Sequence, residues 1–395
     1  MDTTRLEAWR SDTPACASLV HLNNAGASLM PVPVAHAITE HLSLEQHIGG
    51  YEAADRESDR IHATYTAVAD LIGARARNIA IVEHATAAFN QALAAFDFNP
   101  GDRIVASQAD YVSHQVSFLA LAARRGVEIC HAANGEDGRV DPQSVHDLAS
   151  HPRCRLVSVC WMPTNNGLVQ DVETVGDVCS RLGVPYLVDG CQAVGQQVID
   201  VTAIKCDFLT ATARKFLRGP RGIGFLYVSD AALERGLYPW NIDMRGATWP
   251  DADRFEIVDS ARRFEMWEFP YALVLGLGEA ARYALGVGID VVQRRSRGLA
   301  ERLRRQLRDV PGWRVLDEGA VCSAIVAVEL GAANPADVVE RLRRRRFNTS
   351  ATFRQWAQFQ MGRQRAEAAL RVSPHYYNTE DEVDRFVAAL REAVA

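Results

Sequence analysis

From about residue 60 onward the chain alternates short apolar runs with longer stretches of helical period. The runs lie at 79–82, 103–107, 127–130, 155–160, 185–189, 207–211 and 224–228. Runs this short, apolar on both faces, predict buried strands. Between them, segments such as 172–182 place apolar residues every three or four positions and predict covering helices. The pattern is that of an α/β fold with a mostly parallel seven-stranded sheet, and the ligands of such sheets collect at the carboxyl ends of the strands.

The pattern changes near residue 285. Segment 271–286 is apolar and rich in Gly and Ala, and 291–307 reads as an amphipathic helix studded with arginine. A strand-like run at 322–330, a helix at 334–345 and a last helix at 379–394, announced by the start signal N-T-E-D-E, follow. They predict a small C-terminal α+β domain. The chain divides into an N-terminal arm (1–30), a large domain (31–285) and a small domain (286–395). The run Arg343 to Arg346 is the solvated end of a helix, where cations are favoured.

Composition narrows the function. The 395 residues are 48% hydrophobic and 23% charged, which excludes a disordered chain or a mini-protein held by disulfides. A net charge of −6 lacks the basic excess that phosphate backbones require, so nucleic acid is not an expected partner. No apolar run is long enough to span a bilayer and the first ten residues are polar, so the reading is no membrane and a cytoplasmic location. Eight cysteines form no C-x-x-C pair, which argues against zinc, any other metal and thiol redox chemistry. Cys130 and Cys160 sit in strand-like runs as small hydrophobes. All basic residues except Lys205 and Lys215 are arginine. Arginine cannot become an amine nucleophile and lysine can, so the two lysines stand out.

One of them lies in a telling place. The run ending at residue 189 leads into Asp189-Gly190-Cys191-Gln192, and after the next run comes Thr212-Ala213-Arg214-Lys215, then Gly219-Pro220-Arg221-Gly222-Ile223-Gly224. An acid at one strand end, a lysine after the next strand and a glycine-rich turn resemble a pyridoxal 5′-phosphate (PLP) site. With H-L-N-N-A-G-A-S near the start, R-R-F-E-M-W-E-F-P at 262–270 and R-V-S-P-H-Y-Y-N-T at 371–379, the whole chain resembles the class V aminotransferase and cysteine desulfurase branch of the fold-type-I PLP enzymes.

That resemblance implies roles. Lys215 is similar to the lysine that bonds the cofactor aldehyde and later moves the substrate's α-proton. Asp189 matches the carboxylate that keeps the pyridine nitrogen protonated, and Gln192 the donor to the ring's phenolic oxygen. Thr86 and Ala87 at a helix start, with Thr212 and Arg214, match the phosphate ligands. Relatives often carry His where Arg214 stands. Tyr111 matches the stacking residue, and Thr164 or Asn165 lines the same edge, with Asn165 taken as the contact. Arg371 matches the arginine that grips the substrate carboxylate, and Asn24 is expected beside the substrate. The resemblance also implies a homodimer with active sites at the interface, Trp267 and Glu268 completing the neighbour's site.

Persulfide-forming desulfurases carry a nucleophilic cysteine ahead of the carboxylate arginine, and the stretch from Phe347 to Phe353 has none. With Trp267 and the H-Y-Y-N-T ending, the chain looks most like the carbon–sulfur lyase branch, related to ergothioneine formation and lincosamide antibiotic biosynthesis. The expected function is β-elimination from an S-substituted cysteine conjugate in specialised metabolism. The alternative is decarboxylating oxidative deamination or aminotransfer on a similar amino acid. A DNA-binding regulator is disfavoured, because only about twenty residues precede His21.

Overall fold

The computed structural model describes residues 3–394, and in it the apolar runs join one sheet. Its strands are β1 (Ile79–Val82), β2 (Arg103–Ala106), β3 (Glu128–His131), β4 (Cys154–Cys160), β5 (Tyr186–Asp189), β6 (Phe208–Thr212) and β7 (Gly224–Val228). They lie in the order β1-β7-β6-β5-β4-β2-β3. Strands β2 to β6 run parallel where they pair, and β7 is antiparallel to both its neighbours. The short 213–223 connection explains the reversal: a parallel return needs a crossover of about a dozen residues or more, usually a helix.

Helices cover both faces. Val68, Leu71, Val175, Val178, Leu275 and Leu277, from helices Ser58–Ile72, Val172–Leu182 and Tyr271–Val287, pack with Val157, Val188 and Leu209 of the sheet. On the other face Phe89 and Phe118, from helices Ala85–Leu93 and Val112–Arg125, meet Ile104, Leu187, Phe208 and Leu226. Truncating a buried Phe here to Ala would cost about 3–5 kcal/mol. Helix Val172–Leu182 keeps its predicted bounds because Asp171 caps its start through the Thr174 amide and Gly183, in the left-handed region, ends it.

A second, antiparallel sheet contains Arg314–Val315, Val326–Glu329, Ala368–Val372 and Ser350–Phe353 in that order. Helices Ile289–Arg308, Pro335–Arg344 and Glu380–Val394 bury Leu299, Leu303, Leu342, Phe386 and Leu390 with its Val326, Val328 and Leu370. The last helix opens on a capping box: the Glu382 amide donates to Thr379 Oγ1 and the Thr379 amide to Glu382 Oε2. Val20, Leu22 and Ala25 join this second core, and Val20–His21 pairs in parallel with Phe347–Asn348. The strand-like run at 322–330 narrows to Val326–Glu329, because Cys322 instead bridges to Leu168. A fully buried Arg304–Asp317 pair (2.7 Å) fastens the 164–167 loop to this layer, since Asp317 Oδ1 also accepts from the Gly167 amide (2.9 Å). Among the described residues no single helix is long and apolar enough to cross a membrane.

Candidate active site

Strand β5 ends at Asp189 and β6 at Thr212, and the ladder sets Gly224 of β7 between Thr212 and Val82, the last residue of β1. The carboxyl ends of β5 and β6 border a cleft of about 230 Å³, lined by His84, Thr86, Tyr111, Asp189, Arg214 and Lys215 among others. The two lysines separate here. Lys205 is half exposed and paired with Asp177, whereas Lys215 is 6% exposed, with its amine 5.6 Å from the centre of the Tyr111 ring and in no ion pair among the described residues.

The turn after Lys215 is held from afar. Arg218 has a φ of +63°, costly for a residue with a Cβ, and is almost wholly buried. Its guanidinium donates to Leu29 O, Thr13 Oγ1 and Tyr376 OH and packs on the rings of Tyr377 (4.5 Å) and Tyr283 (5.7 Å).

At one end of the cleft, helix Ala85–Leu93 starts directly after β1. It begins at Ala85 because the His84 ring caps it, accepting from the Ala87 amide at 3.0 Å. Ala87, expected as a phosphate ligand, therefore has its amide already satisfied, and the amides of Ala85 and Thr86 remain at the helix start. A Cβ on Gly224 would stand 3.2 Å from His84 Cα and 2.4 Å from Ala211 O, so only glycine lets this start sit against the sheet. Gly222, at φ +87°, turns the chain into β7. Arg214 lines the same end with Nη1 buried and without a partner; burial, with Arg221 nearby, pulls its pKa down. Thr212 is buried beside it.

At the other end, Asp189 Oδ1 accepts from the Cys191 amide (2.9 Å) and Oδ2 lies 3.5 Å from Cys160 Sγ. His114, absent from the sequence-based list, also lines the cleft. It follows Asp110 by four positions at a helix start, the one signal that could have found it. Burial pushes the Cys191 thiol up to about 12, with the Asp189 charge adding to it.

Arg371 is 9% exposed, yet no carboxylate pairs with it among the described residues. Nη1 donates to Thr164 Oγ1 (2.8 Å) and O (3.2 Å), Nη2 to Asn23 Oδ1 (3.1 Å), and Nε is buried without a partner. Burial, then the Arg214 charge, lowers its pKa to about 10, so it stays cationic at neutral pH.

Several expected contacts lie elsewhere. Asn24 is committed to structure: Nδ2 donates to Ser373 O (2.7 Å) and Oδ1 accepts from Tyr377 OH (2.6 Å), so Asn23, not Asn24, reaches Arg371. Asn165 is drawn to the second layer by Thr352 Oγ1 (2.6 Å) and Trp356 O (3.3 Å), while Thr164 Oγ1 bonds Gln192 and Arg371. Gln192 is buried, with its amide nitrogen donating to Ala25 O and Thr164 Oγ1 and its Oε1 without a partner. Trp267 and Glu268, expected at the neighbour's site, are absent from the lining of this chain's own cleft, as that expectation requires; Trp267 is exposed, with Arg245 over its ring.

The donor set fits PLP. A helix start with an unpartnered Arg214 suits a phosphate, a buried carboxylate 26 residues before the lysine suits a pyridine nitrogen, and Tyr111 offers a ring face beside the amine. The bound group would supply an electron sink for charge developing at the substrate α-carbon.

A family model described as Aminotransferase class-V matches residues 20–386. A probable cysteine desulfurase of Methanothermobacter thermautotrophicus is 28% identical, covering 98% of each chain. A probable hercynylcysteine sulfoxide lyase of Mycobacterium tuberculosis is also 28% identical, covering 98% of this chain and 93% of its own. The crystal structure of the cysteine desulfurase CsdA from Escherichia coli superposes with a TM-score of 0.89 at 26% identity, covering 98% of each chain.

Proposed function

This chain belongs to the class V aminotransferase family and is a PLP-dependent enzyme similar to cysteine desulfurases and C–S lyases, and from that premise we propose that it cleaves an S-substituted cysteine by β-elimination. The observation that carries the reading is the state of its thiols. Among the described residues the one cysteine lining the cleft is Cys191, and burial holds it protonated and therefore a poor nucleophile. The stretch ahead of Arg371 has no cysteine and is built into strands Phe347–Asn348 and Ser350–Phe353, tied down by the Thr352–Asn165 bond. Sulfur then has no enzyme thiol to receive it and leaves with its substituent. The likeness to a protein named a sulfoxide lyase supports the same direction.

In this scheme Arg371 holds the α-carboxylate, Lys215 takes the α-proton, and the C–S bond breaks with its electron pair on sulfur. The three-carbon fragment takes up water, so the net reaction is conjugate plus water to thiol, pyruvate and ammonia. A thiolate leaves without much acid assistance. The substituent and a place in specialised metabolism belong to the proposal, as does a homodimer in which Trp267 and Glu268 serve the neighbouring site. The exposed Trp240, Met244, Trp249 and Trp267 supply an apolar surface for that contact. Incubating the holoenzyme with a panel of S-alkyl cysteines and their sulfoxides tests the reaction: pyruvate equimolar with free thiol from the S-alkyl cysteines, or with sulfenic acid from the sulfoxides, supports it. Carbon dioxide release with oxygen uptake, or a keto acid without thiol, would replace it with deamination or aminotransfer.

A further inference from the structure

Beneath the acid end of the cleft lies a buried polar chain that the reaction scheme does not use. Asp110 precedes helix Val112–Arg125 and its carboxylate is saturated: Oδ1 accepts from the Tyr111 amide (2.7 Å) and is 2.9 Å from His114 Nδ1, while Oδ2 accepts from Gln115 Nε2 (2.9 Å). His114 is 2% exposed and cannot turn, because its ring lies flat on Phe89 (3.8 Å between centres, 13° between planes) and meets the edge of Tyr111. The same Nδ1 stands 3.9 Å from Asp189 Oδ2. That separation is too long for a hydrogen bond and short enough for charge to act.

We propose that His114, fixed by Asp110, is a positioning residue that holds a positive charge against Asp189 and so keeps that carboxylate ionised and the proton on the cofactor's ring nitrogen. The proposal rests on PLP lying in this cleft with its ring nitrogen toward Asp189. Asp189 is 5% exposed, so little water stands between it and the His114 charge. A neutral acid would donate to the ring nitrogen, and the ring would lose its power as an electron sink. The charged and titratable groups facing His114 are Asp110, Asp189, Tyr111 and Lys215, with the Cys160 thiol against Asp189. Burial alone would discharge the imidazole, Lys215 works in the same direction, and the two carboxylates outweigh both, raising its pKa.

The test reads the ring nitrogen, not turnover. Holoenzyme is prepared with 15N-labelled PLP, and the nitrogen resonance is followed across the range where an ordinary histidine titrates. In the unaltered protein the signal should stay at the protonated position throughout. In Asp110→Asn, which keeps the shape but removes the charge, it should move toward neutral pyridine as His114 loses its proton and return at low pH. In His114→Phe, which keeps the stack on Phe89, it should be displaced toward neutral pyridine at every pH. Identical signals in all three, with one label bound per chain, would overturn the proposal. Should His114→Phe not fold, a pH-independent signal in Asp110→Asn overturns it alone. Failure of the unaltered chain to retain the label would overturn the cofactor placement and the proposal with it.

Discussion

Replacing Arg371 with methionine separates what the cleft costs the fold from what it does for the substrate. The depression of this guanidinium from 12.5 to about 10 corresponds to ~3 kcal/mol of unfavourable burial. For a base with a lowered native pKa that cost is fully present below about pH 10 and fades as pH rises toward the unfolded value. Methionine removes the cost and also the bonds to Thr164 and Asn23, each worth about 1.5–3 kcal/mol when one partner is charged. The two nearly cancel, so the thermal midpoint of the apoprotein should move little. Binding should not cancel: loss of a buried charged pair costs about 2–5 kcal/mol, or ~30- to 5,000-fold in affinity. The assay is KM together with spectral titration, run on an S-alkyl cysteine and on the matching amine that lacks the carboxylate. The amino acid should weaken by that factor and the amine should not. Equal losses for both, or no loss for the amino acid, would refute the assignment.

Lys215→Ala should abolish the visible absorption of the bound cofactor while far-UV circular dichroism stays native. Asn23→Ala should raise KM with stability nearly intact, whereas Asn24→Ala should lower stability by about 1–3 kcal/mol in urea titration through its lost partners Ser373 and Tyr377. Gly224→Ala should weaken cofactor retention in dialysis more than tenfold, because its methyl displaces the start of helix Ala85–Leu93. Cys191→Ala should still release thiol and pyruvate; loss of thiol release with cofactor bound would reinstate a sulfur-accepting cysteine.

The central sheet was legible because its strands are buried on both faces and carry no competing period: all seven runs became strands, with ends shifted by one residue at most. The direction of β7 was not, since hydrophobic pattern carries no sign; only the length of 213–223 encodes it. Residue type and spacing marked Lys215 and Asp189, the family resemblance marked Tyr111 and Arg371, and the structure lines one cleft with the first three and sets Arg371 within reach of the Arg214 charge. The errors fell between neighbours. Asn23 and Asn24, or Thr164 and Asn165, differ in which way a side chain leaves the backbone, and that is decided by distant Tyr377 and Thr352. His114 was overlooked because one histidine among eleven gains meaning only when Asp110 and Asp189 are seen on either side.

The Arg218 clamp has a consequence for how the chain becomes an enzyme. It gathers Thr13, Leu29, Tyr283 and Tyr376 around the turn that presents the reactive amine. A ribosome-bound fragment stopping short of Tyr376 owns the amine, the acid and the phosphate cradle but not the buttress that sets their spacing. The turn that carries the amine is thus fixed only when segments as far apart in the chain as Thr13 and Tyr376 have come together.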